Sequence, residues 1–129
     1  MPDDILVPAE WYKRGSHDII TARIALEASA PTDTVAILLQ QAFEKYIKGY
    51  LLSKGWRLKK THDLRELIDR AADHDPVFAE FRDLARLLTA LYIEDRYPTS
   101  PSAGYSSDEM SSLMHQTERL IVLITEKSG

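Results

Sequence analysis

One stretch constrains this chain more than any other. Val35, Leu38, Leu39, Ala42, Phe43, Tyr46, Ile47, Tyr50 and Leu51 recur at spacings of three and four residues. That period places them on one broad side of an α-helix, and no alternating two-residue pattern of strand length competes with it. The stripe stops before Gly55, a residue suited to the left-handed conformation that ends helices. Its width predicts burial on two sides, against neighbouring helices and against a second subunit. Gly49 interrupts the stripe. It costs up to about 1 kcal/mol relative to alanine, so it marks either a close helix approach or a simple tolerance.

The same period runs through the rest of the chain. Pro8 suits a first helical turn, and Trp11, Gly15, Ile19, Ala22 and Leu26 follow on one face until Pro31 ends the helix. Thr32 or Asp33 is placed to cap the long helix described above. A short helix starts near Asp63, where Asp63 and Glu66 have capping-box spacing, and buries Leu64, Leu67, Ile68 and Ala71. Asp75 and Pro76 open a fourth helix carrying Val77, Phe78, Phe81, Leu84, Ala85, Leu88, Leu91 and Tyr92. It must end near Arg96, because Pro98 disfavours helical geometry in the residue before it. A loop rich in Ser, Pro and Gly follows, the longest irregular connection and so the expected place for function. Ser106 and Glu109 then form a second capping box. The last helix buries Met110, Leu113, Met114, Thr117, Leu120, Ile121 and Ile124. The expected fold is all-α: one domain over residues 1–129, an up-and-down antiparallel bundle of four to five helices.

Composition narrows the function classes. At 129 residues one buried core suffices without metals or disulfides. There are no cysteines, which excludes thiolate zinc sites and a cysteine nucleophile and suits a cytoplasmic protein. The first residues, MPDDILVPAE, lack the basic region of a secretory signal. No apolar run approaches the roughly 18 residues of a membrane span, so no membrane partner is expected. A net charge of −4 argues against coating nucleic acid with the whole surface, leaving room for a local basic patch.

The chemistry-bearing residues are few. His17, His62, His74 and His115 form no metal pair at helical spacing, and the acids around His74 read as a solvated turn. Five scattered glycines build no phosphate-cradling loop, and no cofactor is expected. Two segments stand out. In Lys54-Gly-Trp-Arg-Leu-Lys-Lys-Thr-His62, the cations Lys54, Arg57, Lys59 and Lys60 surround an exposed-looking Trp56 with no acid among them. Such a loop either grips phosphate and stacks a base or is simply solvated, with Trp56 packed on the bundle end. In Tyr92-Ile-Glu-Asp-Arg-Tyr97-Pro98, Arg96 either satisfies the last helical carbonyls or joins Tyr92, Tyr97 and Tyr105 in a clamp for a phosphate and a ring. The candidate ligand-binding residues are therefore Arg96, Tyr97, Tyr92, Tyr105, Arg57, Lys60 and His62, with no catalytic or metal-binding residue among them.

Three segments carry a family resemblance. Gln40-Gln-Ala-Phe-Glu-Lys-Tyr-Ile-Lys-Gly49, His62-Asp-Leu-Arg-Glu-Leu67 and the stretch from Tyr92 to Arg96-Tyr97-Pro98 resemble the HEPN domain (higher eukaryote and prokaryote nucleotide-binding). The resemblance implies a helical bundle that usually forms a homodimer. It also implies a stand-alone prokaryotic protein encoded beside a minimal nucleotidyltransferase, with nucleotide or RNA as ligand, in some cases as a toxin–antitoxin pair. Ribonuclease members of the family carry an arginine followed four to six residues later by a histidine. Here the first histidine after Arg96 is the distant His115. Arg57 and His62 have the right gap but lie in the loop before the short helix. A metal-independent RNA-cleaving toxin is therefore the alternative to a nucleotide-binding partner, and a purely structural dimerisation module is the third reading. A nuclease at Arg96 would need a proton acceptor from elsewhere, and His62 is the nearby candidate, brought in through folding.

Overall fold

The computed structural model describes residues 7–97 and 105–128. Five α-helices follow one another: α1 (Pro8–Glu27), α2 (Thr32–Ser53), α3 (Leu64–His74), α4 (Arg82–Arg96) and α5 (Ser107–Ser128). There are no strands among the described residues. A 3₁₀ turn over Pro76–Phe81 stands between α3 and α4. The expected fourth helix is thus split. Its first turns wind tighter, with Asp75 accepting from the Val77 N–H at 3.1 Å and Phe78 and Phe81 driven into the core.

The long apolar helix is the centre of the bundle, for α2 packs against all four other helices. Between Gln40 and Leu51 only Gln41 and Lys45 are not buried. Val35, Leu39, Phe43, Ile47 and Leu51 lose all contact with solvent. Neighbours in the same chain cover the stripe except at Leu38, which stays partly exposed, so its breadth needs no second subunit.

Helices α1 and α2 approach closely at two glycines. Tyr12 lies over Gly49 and Tyr46 over Gly15, while the two rings stack with centroids 5.6 Å apart. A Cβ on Gly49 would stand 2.6 Å from Tyr12 Cε1 and 3.2 Å from the Pro8 carbonyl oxygen. Of the two readings of Gly49, close helix approach is the one realised.

Local termini follow the sequence with two exceptions. Ser106 and Glu109 form a reciprocal capping box, each accepting from the other's backbone N–H at 3.1 and 3.0 Å. Gly55, at φ +86°, ends α2, and the Trp56 N–H reaches back to the Leu51 carbonyl. At α3 the box is only half made: Asp63 accepts from the Arg65 N–H at 3.0 Å, but Glu66 turns to Lys59 instead. At α2 the cap position falls to Pro31, which makes no side-chain bond, and of the two candidates Asp33 accepts from the neighbouring Thr34 N–H at 2.8 Å. Helix α4 ends at Arg96, and Tyr97 leaves helical geometry at φ −135°, ψ 68°, as a following proline requires. Pro98 itself, and the loop to Gly104 where function is expected to concentrate, lie outside the described residues.

Two expectations about stability follow. Gly49→Ala forces Tyr12 off Gly49, so it lowers stability by about 1–3 kcal/mol in chemical denaturation despite alanine's better helix propensity. Acid should also loosen the chain. The Lys127 ammonium and the Val77 N–H hold the Asp75 carboxyl below its ordinary value, and the Arg65 guanidinium does the same for Asp63. Depressed folded values mean that this stabilisation is complete above the ordinary aspartate pKa near 4 and is lost as pH falls through the lowered ones. Melting temperature should therefore drop below about pH 4, and Asp75→Asn should flatten part of that drop.

Candidate functional site

The site begins with three polar residues on one side of an otherwise apolar helix. Gln40, Glu44 and Lys48 follow at intervals of four on α2, and all three are buried. A carboxylate taken out of water must be met by donors or it is prohibitively costly. Glu44 is fully met. Its Oε2 accepts from Lys48 Nζ at 3.0 Å, and its Oε1 accepts from Gln40 Nε2 at 3.1 Å. The third donor comes from outside the helix: His62 Nδ1 lies 2.8 Å from the same Oε1. Lys48 in turn sits 5.6 Å from the centroid of the Trp11 ring. No buried side-chain nitrogen or oxygen among the described residues is left without a partner.

His62 is fixed by more than this bond. Its carbonyl oxygen lies 3.4 Å from Gln40 Nε2, and two residues later the Leu64 N–H donates to Thr89 Oγ1 of α4 at 3.0 Å. The His62 ring stacks on Tyr92, centroids 5.1 Å apart and planes 30° from parallel. Arg96, one turn further along α4, donates from Nη1 to Tyr92 Oη at 3.1 Å, with its guanidinium carbon 5.4 Å from the same ring's centroid. Arg96 thus makes its hydrogen bond to Tyr92 while standing in the last turn of α4, where a cation also meets the helix dipole. His62 and Arg96, distant in sequence, share one aromatic platform.

With Nδ1 turned inward to a carboxylate, His62 still leaves 55% of its side chain exposed. The cluster therefore presents an accessible imidazole and a permanent guanidinium cation beside a tyrosine hydroxyl. Imidazole accepts or donates a proton; guanidinium grips anions but does not give up its own proton near neutral pH. A phosphate with an attached ring is the kind of ligand such a surface can hold.

The other candidates are placed differently. Tyr97 is 68% exposed, and its side chain makes no ring or hydrogen-bond contact among the described residues. Tyr105 packs against the core at the start of α5 and touches none of the cluster through a ring contact or hydrogen bond. Arg57 and Lys60 are exposed and form no ion pair among the described residues, whereas Lys59 is bound to Glu66 at 2.5 Å. Lys54 lies over the Tyr50 ring, 5.6 Å from its centroid. Trp56 corrects its exposed reading: it is partly buried against the core, below the turn made by Gly55. It is not a free stacking platform. His115 lines a separate shallow groove with Val77, Phe81, Arg119 and Val122, which holds none of the candidate residues. No group of three or more His, Asp or Glu side chains is arranged to hold a metal among the described residues. No helix there is long and apolar enough to cross a membrane.

Sequence reasoning gives Gln40, Glu44 and Lys48 no role beyond the family resemblance. The available signal is three hydrogen-bonding side chains at i, i+4 and i+8 inside the most apolar helix of the chain.

Comparison with known proteins agrees with this architecture. The model of the HEPN domain family matches residues 8–127, and the chain belongs to that family. Two crystal structures share the fold. One is TT1696 from Thermus thermophilus, 22% identical, with a TM-score of 0.80 over 93% of this chain and 97% of that one. The other is ST0689, described as an archaeal HEPN homologue, 23% identical, with a TM-score of 0.75 over 94% of this chain and 97% of that one. No curated protein shows significant similarity.

The buried rail and the exposed arginine should respond to mutation in opposite ways. Lys48→Ala strands the Glu44 carboxylate and should cost about 3 kcal/mol or more. Arg96→Ala removes an exposed contact and should cost under about 1 kcal/mol. Urea unfolding of the two variants beside wild type reads the contrast directly.

Proposed function

We propose that this chain is a nucleotide-binding HEPN module acting as the homodimeric partner of a minimal nucleotidyltransferase. Its ligand meets Arg96 with a phosphate and lies against His62 and Tyr92. The observation that carries the binding reading is the convergence of His62, anchored on buried Glu44, and Arg96 on the ring of Tyr92. Arg57 and Lys60, close to His62 in sequence and uncommitted to any ion pair among the described residues, extend positive charge toward a longer ligand. Partnership with a nucleotidyltransferase rests on the habit of the family's stand-alone members.

Binding is tested by titrating purified protein with a short RNA and with a nucleoside monophosphate at several salt concentrations. Arg96→Ala should weaken both at least about tenfold, the equivalent of one charge-assisted hydrogen bond. The pair Arg57→Ala and Lys60→Ala should flatten the salt dependence for RNA. Unchanged affinity in Arg96→Ala would remove the site, and an unchanged salt slope would return the basic loop to plain solvation.

Metal-independent RNA cleavage is the second reading, and one observation favours it: folding supplies His62 as the proton acceptor that spacing alone denies to Arg96. Incubating wild type, Arg96→Ala and His62→Ala with mixed RNA in chelator separates the two. The binding reading expects intact RNA throughout. Cleavage by wild type that both variants lose would establish the nuclease.

The dimer would use an outer face, since most of α2 is covered within the chain. Ile20 and Ile24 on α1, Ile93 on α4 and Val122 on α5 are the large apolar side chains exposed within the helices. Light scattering should give twice the chain mass of 14.7 kDa; the monomer mass at micromolar concentration would reject the pairing.

A further inference from the structure

We infer that Glu44 is the positioning residue of this site. It fixes the orientation of the His62 ring and, in the neutral form, keeps the proton on Nδ1, so that Nε2 accepts a hydrogen bond from a ligand hydroxyl and the site prefers ribose over deoxyribose. The inference rests on the nucleotide reading above and adds to it the part of the ligand that His62 recognises.

The argument starts from donors and acceptors. An ionised carboxylate only accepts hydrogen bonds, and Glu44 pairs with Lys48 Nζ at 3.0 Å. A ring nitrogen 2.8 Å from it must therefore carry the proton. Gln40 donates to the same oxygen and is itself oriented by Gln41, whose amide donates to Gln40 Oε1 at 2.6 Å. The carboxylate is held from both sides, so it cannot turn away from the ring. Stacking on Tyr92 fixes the ring plane. The Nδ1–H form leaves Nε2 with a lone pair and no proton. A fully ionised phosphate has no proton to give that lone pair, whereas a hydroxyl has one.

Arg96 shares the Tyr92 ring and is the group suited to the phosphate. The fitting ligand then carries a hydroxyl beside a phosphate ester. A ribonucleotide 3′-phosphate has that pair on adjacent carbons; its 2′-deoxy counterpart lacks the hydroxyl and would leave Nε2 unpaired.

Glu44→Gln makes the idea testable, because the new amide has one accepting and one donating end. Lys48 and the Gln40 amide both donate to the carboxylate, at opposite oxygens, so the single amide oxygen of the variant cannot serve both and His62 loses the acceptor that fixes it. The Nδ1–H form is then no longer enforced, and Nε2–H rings become populated. Nitrogen-15 NMR of the imidazole in alkaline buffer should show Nδ1–H in wild type and a mixture of the two tautomers in Glu44→Gln. Calorimetric titration of wild type should favour adenosine 3′-monophosphate over 2′-deoxyadenosine 3′-monophosphate by at least about fivefold, and Glu44→Gln should weaken that preference. An Nε2–H ring in wild type, or an unchanged tautomer in the variant, would overturn the role of Glu44. Equal affinity of wild type for the two nucleotides would overturn the hydroxyl preference. Wild type that binds neither nucleotide sinks the nucleotide reading along with that preference, yet the tautomer still decides the role of Glu44. Where Glu44→Gln fails to fold, the wild-type tautomer and wild-type affinity ratio decide the matter on their own.

Discussion

A carboxylate buried in the middle of an apolar helix is the constraint around which this structure is arranged. Glu44 sits on α2, the helix that every other helix touches, and only 6% of its side chain is exposed. Charge in such a place survives only with complete hydrogen bonding. Two of its donors are on α2 itself, at the one-turn spacing where helical side chains meet. The third is His62, and reaching it requires the segment after α2 to fold back along the helix. The demand for a third donor thus shapes a loop and orients an imidazole at once. A well-packed hydrophobic trio in place of Gln40, Glu44 and Lys48 would serve stability as well or better. The polar rail therefore makes most sense as a means of holding His62.

The helices are legible in the sequence because each has a long apolar period and recognisable punctuation. The Ser106–Glu109 box and the Gly55 terminator are local events, settled by residues within a few positions of one another. Long-range competition explains the departures. Capping-box spacing sends Glu66 back to its own helix start, but Lys59 offers it an ammonium instead. The first turns of the expected fourth helix tighten into a 3₁₀ turn, in which Asp75 is drawn both to the Val77 N–H and to Lys127 of α5. The breadth of the α2 stripe reads as surplus surface. Periodicity reports how much of a helix is apolar, and it cannot say whether the covering helices belong to the same chain.

Site residues divide along the same line. Tyr92 and Arg96 are visible as neighbours because both lie on one helix, and His62 can be nominated only by type. Its partner Glu44 stays hidden, since a glutamate and a lysine four residues apart usually describe a solvated face. What distinguishes this pair is its setting: flanked by Phe43, Tyr46 and Ile47, it falls within a mostly buried helix. Closeness along the chain groups Tyr97 and Tyr105 with Arg96. In the fold, Tyr105 packs partly buried against the core and Tyr97 faces solvent.

Helix α4 explains why the site forms where it does. Thr89, Tyr92 and Arg96 are spaced three and four residues apart and lie along one face. Each carries out a different step in receiving the segment that starts α3. The buried Thr89 hydroxyl takes the Leu64 N–H, a donor at a helix start that no intrahelical carbonyl can satisfy. Tyr92 takes the ring of His62. Arg96 is left at the end of the row, tied to the Tyr92 hydroxyl and open to solvent beyond it. Glu44 pulls His62 from one side while this stripe supports it from the other, and neither helix alone would hold the imidazole. A bundle of plain amphipathic helices acquires a chemically defined corner because two polar stripes, one on α2 and one on α4, meet at the same histidine.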